Sequence, residues 1–189
     1  MTRAVVLVAS GFQDEEYVYP YYRMLEEGWQ VDVCTPNGVD AVGKYGVPAR
    51  ANMNVNDLIP KSWDLAWDVV VIPGGFESPD RLRVIPVVQS FVQGMHIAGR
   101  VIAAICHGPW VLVSAGICKD QYLMGYKSIE PDIVNAGATY IREPAMAYSY
   151  NNIVTSDHYK NNGHWMKLVI DTVAKKDKGQ WDERHSSTF

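Results

Sequence analysis

Short apolar runs alternate with longer amphipathic stretches along this chain, and that alternation predicts its elements. Ala4 to Ala9 is a continuous apolar run of strand length, ended by Ser10-Gly11. Asp14 is placed to cap a helix running to about Leu25, with Gly28 suited to its C-terminal cap. Gln30 to Cys34 predicts a second strand, halted by Thr35-Pro36-Asn37-Gly38, and residues 39–57 predict a small hairpin. Val69-Val70-Val71-Ile72 is a third strand, ending abruptly at Pro73-Gly74-Gly75. A helix follows from Pro86, with Val88, Phe91, Val92 and Met95 at helical spacing and Gly99 at its end. Val101 to Ile105 is a fourth strand that runs directly into Cys106. Beyond it the pattern predicts a helix over 108–115, a short strand over 122–124 and a helix over 129–135. A strand over 139–141 and a hairpin turning at Asn151-Asn152 come next. The closing helix spans about 161–174, with Trp165, Leu168, Val169 and Val173 facing inward.

Strands of β-branched residues separated by helices mean βαβ units, hence an α/β fold with a mostly parallel sheet. There is no internal repeat and no linker. We expect one domain over residues 1–175, followed by a polar, solvated tail over 176–189 in which Trp181 and Phe189 are the residues able to dock.

Composition narrows the partners. The chain of 189 residues carries a formal net charge of −4, which argues against nucleic acid or an anionic membrane surface as the main partner. No apolar run approaches the roughly 20 residues that span a bilayer, and the N-terminal apolar run reads as a strand rather than a signal peptide. Cys34, Cys106 and Cys118 include no close pair, and the five histidines are scattered. A disulfide scaffold and a clustered zinc site are therefore not expected, and a reducing cytoplasm is the expected compartment.

In a doubly wound sheet, function gathers at the carboxyl ends of the strands. Three such ends carry unusual residues: Gln13-Asp14-Glu15-Glu16, Pro73-Gly74-Gly75 and Cys106-His107-Gly108-Pro109. Cys106 stands between a strand and a helix, with Ala104 two residues before it and Gly108 two after. A sharp turn that presents a nucleophile needs small residues at both places, which is the steric logic of the nucleophile elbow. A thiol at a helix N-terminus sees the positive end of the macrodipole, which favours thiolate. His107 is a candidate general base or thiolate partner, with packing or capping as its alternative role. Gly74 and Gly75 are candidate backbone donors to an oxyanion. Acidic residues over 13–16 suit helix capping. Pro20, however, cannot donate to the carbonyl of Glu16, which predicts a distortion there and a carboxyl able to share a proton with Cys106.

The ordered set Tyr19-Pro20, Val71-Ile72-Pro73-Gly74-Gly75, Ala103-Ala104-Ile105-Cys106-His107-Gly108-Pro109 and Asn135-Ala136-Gly137-Ala138 resembles the ThiJ/PfpI superfamily. The resemblance implies a flavodoxin-like three-layer sandwich with Cys106 as nucleophile on the elbow and Glu16 as its carboxyl partner. It also implies that an acidic residue from a neighbouring subunit pairs with His107. Pro79-Asp80-Arg81 occupies that place, making Asp80 the candidate, although aspartate is one methylene shorter than the family's glutamate. Tyr126 matches a tyrosine near the family's site. A homo-oligomer, dimer or hexamer, with its site near an interface is implied as well. Trp110 departs from the glutamine common after His-Gly-Pro, Met124-Gly125 departs from the usual Thr-Ser, and Glu77 falls in a loop that looks one residue longer. Trp110 is thus a candidate substrate contact, and the substrate is expected to differ from that of ordinary members.

The leading expectation is a cofactor-independent cysteine enzyme acting on a small electrophile, with glyoxalase-like conversion of a 2-oxoaldehyde as the fitting reaction and neither metal nor organic cofactor required. A PfpI-like amidase or peptidase, or an isonitrile hydratase, would use the same parts. A redox-sensing stress protein, oxidised at Cys106 without turnover, is the reading from a different class.

Overall fold

The first strand, β1 (Arg3–Leu7), contains its sheet's whole design. Val5 and Leu7 join one group of core side chains while Ala4 and Val6 join another, because successive residues of a strand leave on opposite faces. Both faces must therefore be covered, and a strand with no polar interior position suits that. The computed structural model describes residues 1–58, 66–142, 144–179 and 186–188.

After β1 come α1 (Asp14–Glu26) and β2 (Gln30–Thr35), then a hairpin of β3 (Ala41–Val42) and β4 (Pro48–Ala49), and the short β5 (Met53–Asn54). The middle of the chain forms β6 (Val69–Ile72), α2 (Glu77–Arg83), α3 (Pro86–Ile97), β7 (Val101–Ile105) and α4 (Pro109–Ser114). Next are β8 (Tyr122–Leu123), α5 (Glu130–Asn135) and β9 (Thr139–Tyr140). The last are β10 (Ala147–Tyr150), β11 (Ile153–Ser156), α6 (Asn162–Asp177) and β12 (Ser186–Thr188).

The main sheet runs β12-β10-β11-β7-β6-β1-β2-β5. Its strands are parallel from β11 to β5, and β10 is antiparallel to both neighbours. Helices α3, α4 and α5 bury Val88, Phe91, Leu112 and Ile133 against one face. Helices α1 and α6 bury Met24, Trp165, Leu168 and Val169 against the other. This is the expected three-layer, flavodoxin-like sandwich. Because β7, β6 and β1 are neighbours, their carboxyl ends bring residues 8–13, 73–75 and 106–108 to one edge.

Four details depart from expectation. Asp14 does not cap its own helix: Gln13 occupies the N-cap, and the Asp14 carboxylate accepts the Tyr45 and Val47 N–H groups at 3.0 and 2.9 Å. It thereby ties the β3–β4 hairpin to α1. Helix α1 also continues without interruption through Pro20. Glu77 opens the short helix α2 rather than lying in a long loop. Seven residues are too few to show helical periodicity, so the sequence pattern carries no sign of it. The tail is the fourth: Ser186–Thr188 pairs antiparallel with β10. Backbone pairing is indifferent to side-chain hydropathy, and β10 would otherwise offer an open edge. Trp181 and Phe189, as candidates for docking, lie outside the described residues. Among the described residues no helix is long and apolar enough to cross a membrane.

Trp165 is fully buried, and its indole N–H donates to the Val154 carbonyl at 3.2 Å. Trp165→Ala removes that donor and opens a large cavity beneath β11. It is expected to cost about 3–5 kcal/mol in urea denaturation; a loss under about 1 kcal/mol would mean α6 is not anchored there.

Candidate active site

Cys106 adopts φ 59° at the end of β7, the left-handed region that non-glycine residues avoid at about 1–2 kcal/mol. Both of its peptide groups are held: its N–H donates to Ser156 O at 3.0 Å, and its carbonyl accepts Tyr126 N–H at 2.8 Å. Gly108 makes the turn possible, since a β-carbon there would lie 2.5 Å from Ile72 O and 2.9 Å from Ile105 O. The elbow expected from the small residues around Cys106 is thus present. The thiol, however, is only 7 % exposed.

Glu16 reaches the same point from α1. Its Oε2 accepts the Gly74 N–H at 2.8 Å, while Oε1 is buried without a hydrogen-bond partner among the described residues. A β-carbon on Gly74 would sit 2.6 Å from Oε2 and 2.7 Å from Cys106 Cβ, so carboxyl and cysteine flank one glycine. Burial pushes the Glu16 carboxyl up to about 7, against the opposing pull of the Gly74 N–H, Cys106 and the Lys44 charge. Burial, followed by the charge of Glu16, also raises the Cys106 thiol above its ordinary range, with the Gly75 and His107 N–H groups acting the other way. Both effects oppose the thiolate expected at a helix N-terminus. Helix α4 has only six residues, and its weak dipole does not offset desolvation and a neighbouring carboxylate.

The His107 Nδ1 lies 3.2 Å from Cys106 Sγ, so adjacency in sequence here does produce a side-chain pair. The ring stacks on Tyr126 with centroids 5.0 Å apart and meets the edge of Trp110 at 5.1 Å. Burial, then the Lys44 charge, lowers His107 to about 4, which keeps the imidazole neutral at physiological pH. It is a neutral base, not an imidazolium counterion.

The remaining candidates divide. Tyr126 and Trp110 flank His107, and the Trp110 indole N–H donates to Asp132 at 3.1 Å with Arg83 over its ring. Gly75, at φ 71°, has its N–H on Cys106, but the Gly74 N–H is committed to Glu16 and is not free for an oxyanion. Asp80 is exposed on α2, and among the described residues the partners of the His107 ring nitrogens are Cys106 and Ser128 rather than Asp80.

Three contributors gave no signal in the sequence pattern. Lys44, from the turn of the β3–β4 hairpin, acts electrostatically on both Glu16 and His107 and lies over the Phe76 ring at 4.9 Å. Ser128 Oγ is 3.3 Å from His107 Nε2. His158, whose ring lies 6.1 Å from that of Tyr126, borders a cavity of about 710 Å³ lined also by Met124, Tyr126, Tyr140 and Lys160. Each stands in a turn with no periodicity to single it out. No group of three or more His, Cys, Asp or Glu side chains among the described residues is arranged to hold a metal ion.

Comparison with known proteins places the chain in a family. The DJ-1/PfpI family matches residues 2–172. The chain is similar to "Deglycase PfpI" of Pyrococcus furiosus, with 31% identity over 168 residues, 89% of this chain and 97% of that one. It is also similar to "Putative cysteine protease YraA" of Bacillus subtilis, 34% identical over 155 residues, 82% of this chain and 88% of that one. Among solved structures, a two-domain Anabaena variabilis protein with DJ-1/ThiJ/PfpI-like and ferritin-like domains superposes with a TM-score of 0.85 at 26% identity, covering 97% of this chain and 51% of that one. Drosophila melanogaster DJ-1beta gives 0.81 at 23% identity, covering 94% and 96%, which speaks to the fold alone.

The Glu16 carboxyl binds its proton more tightly folded than unfolded, so its contribution to stability is greatest below pH 4.5 and is lost as pH rises through about 7. Glu16→Gln keeps an oxygen for Gly74 but has no proton to lose, whereas His107 titrates in both proteins and cancels in the difference. The variant should gain about 3 kcal/mol on the parent between pH 4.5 and 7.5, read by chemical denaturation across that range. A pH-independent difference would remove the basis for a proton held on Glu16.

Proposed function

The chain belongs to the DJ-1/PfpI family, and we propose that it is a cysteine-dependent enzyme that converts a 2-oxoaldehyde, free or as its amine adduct, into a 2-hydroxy acid. The observation that carries this reading is the buried Glu16 carboxyl beside Cys106, poised near neutral pH to give and take a proton. The coarser conclusion, a cysteine-based enzyme of this family, rests on the family match together with relatives named as deglycases and as a putative cysteine protease.

Each proposed step uses a group in place. Sγ adds to the aldehyde carbon while the thiol proton passes to His107 Nδ1. The new alkoxide takes a proton from Glu16 and becomes a hemithioacetal. The Glu16 carboxylate then removes the hydrogen on that carbon as a proton while His107 gives its proton to the neighbouring carbonyl oxygen, and an enediol forms. Glu16 returns its proton to the adjacent carbon as the hydroxyl on the first carbon gives its proton to His107, which passes it on to Glu16; a 2-hydroxyacyl thioester is left, in which the first carbon has been oxidised and the second reduced. Water hydrolyses the thioester, releasing the 2-hydroxy acid and restoring the thiol. With an amine adduct, Sγ replaces the amine at the same carbon, and the amine leaves with a proton from Glu16.

A second reading, amide or peptide hydrolysis, is favoured by the 3.2 Å Cys106–His107 contact, which suits acyl transfer to sulfur.

Methylglyoxal, a methylglyoxal-modified amine, an isonitrile and peptide amides should be offered in parallel to the purified protein and to Cys106→Ala. We expect turnover of the first two, with production of lactate, and a fall to background in the variant with an unchanged far-UV circular dichroism spectrum. Cysteine-dependent hydrolysis confined to amides would move the protein to the second reading. Full turnover without the thiol, or only stoichiometric oxidation of Cys106, would sink the proposed chemistry.

A further inference from the structure

We propose that the cavity at the carboxyl end of β11 binds a small organic anion, a carboxylate or phosphate with a flat apolar body. The Nε2–H of His158 and the ammonium groups of Lys127 and Lys160 hold its charged end. The volume of about 710 Å³ is that of a pocket for a small molecule. Tyr126, whose ring stacks on His107, forms part of its wall, so an occupant would lie against that ring.

The carboxylates of the wall are engaged within it, and its ammonium groups are not. Glu130 pairs with Arg142, and Asp157 accepts the Asn161 side-chain N–H at 2.8 Å. Lys127 and Lys160 make no ion pair among the described residues. Three cationic side chains, Lys127, Arg142 and Lys160, thus face two carboxylates, a local positive excess on a chain whose formal net charge is −4. A cationic ligand would find both carboxylates taken and two free ammonium groups opposing it.

His158 adds a donor whose tautomer is fixed. The Lys160 backbone N–H, which can only donate, reaches His158 Nδ1 at 3.2 Å. Nδ1 therefore carries no proton, and the neutral ring bears it at Nε2. Burial lowers the ring's affinity for a second proton, with Asp157 and Glu15 opposing and Lys160 assisting. The Nε2–H has no partner among the described residues. One free N–H and two ammonium groups on the same wall call for an acceptor that carries negative charge. Met124, Ile141 and the Tyr126 ring supply the apolar surface for the rest of the ligand.

Titration of the ¹⁵N-labelled full-length protein with benzoate, phenyl phosphate and benzamide, followed by ¹H–¹⁵N spectra, tests this without any turnover. Benzamide has the shape of benzoate but no charge. At least one of the two anions should shift the amides of Tyr126, Lys127 and residues 157–161 and bind roughly tenfold or more tightly than benzamide. The Lys127→Met/Lys160→Met double variant should bring that anion down to the benzamide level. His158→Phe should weaken it roughly tenfold, the worth of a hydrogen bond to a charged group. His158→Gln, whose amide N–H can stand in for Nε2–H, should recover most of the loss. Equal binding of both anions and benzamide, shifts confined to other surfaces, or anion binding indifferent to the two lysines overturns the proposal. So does a His158 ring that long-range ¹H–¹⁵N NMR finds protonated at Nδ1.

Discussion

A β-carbon crowds the following carbonyl oxygen when the backbone turns left-handed, and Cys106 is held in that conformation at φ 59°. Such a residue persists only where its surroundings over-determine it. Here β11 takes its N–H through Ser156 O, and the chain entering the 127–129 turn returns a donor to its carbonyl. Gly74, which passes beside Cys106, and Gly108, which completes the turn, have no room for a side chain of their own. The conformation is what brings the sulfur to the ends of β1, β6 and β7 at once, so the sheet order and the chemistry are joined at this residue.

Burial then decides the protonation states. A thiol in an exposed elbow with a long helix behind it would lean toward thiolate, but Cys106 is enclosed and faces a carboxyl rather than a cation. Desolvation raises both acids, Glu16 and Cys106, and lowers the base, His107. Lys44 is the charged counterweight, easing ionisation of Glu16 and opposing protonation of His107. It arrives on a hairpin that Asp14 fastens to α1, so a residue suited to helix capping instead helps to set the electrostatics of the site.

An aromatic row leads away from the site. Trp110, His107, Tyr126 and His158 follow one another, and the last two border the 710 Å³ cavity. Trp110 stands at the opposite end of the row, held by Asp132 and Arg83.

Local pattern was enough for the sheet strands, the long helices and the elbow, because burial period and steric need at a turn are written in consecutive residues. Val88, Phe91, Val92 and Met95 declared α3, and Ala104 and Gly108 declared the position of Cys106. The pairing of Glu16 with Cys106 was suggested by resemblance and by a distortion at Pro20 that α1 does not show, since 90 positions separate them and no local rule links a helix's first turn to a distant strand end. Seven residues of α2 and the pairing of β12 left no trace in hydropathy, the first for want of length and the second because ladders use backbone alone. What tertiary structure alone decided was the sign of the electrostatics. Whether a cysteine at an elbow is thiolate or thiol, and whether its histidine is charged, depends on which groups are excluded from water around them. To that burial the fold adds the charge of Lys44 and the N–H of Gly74, groups far from Cys106 in sequence.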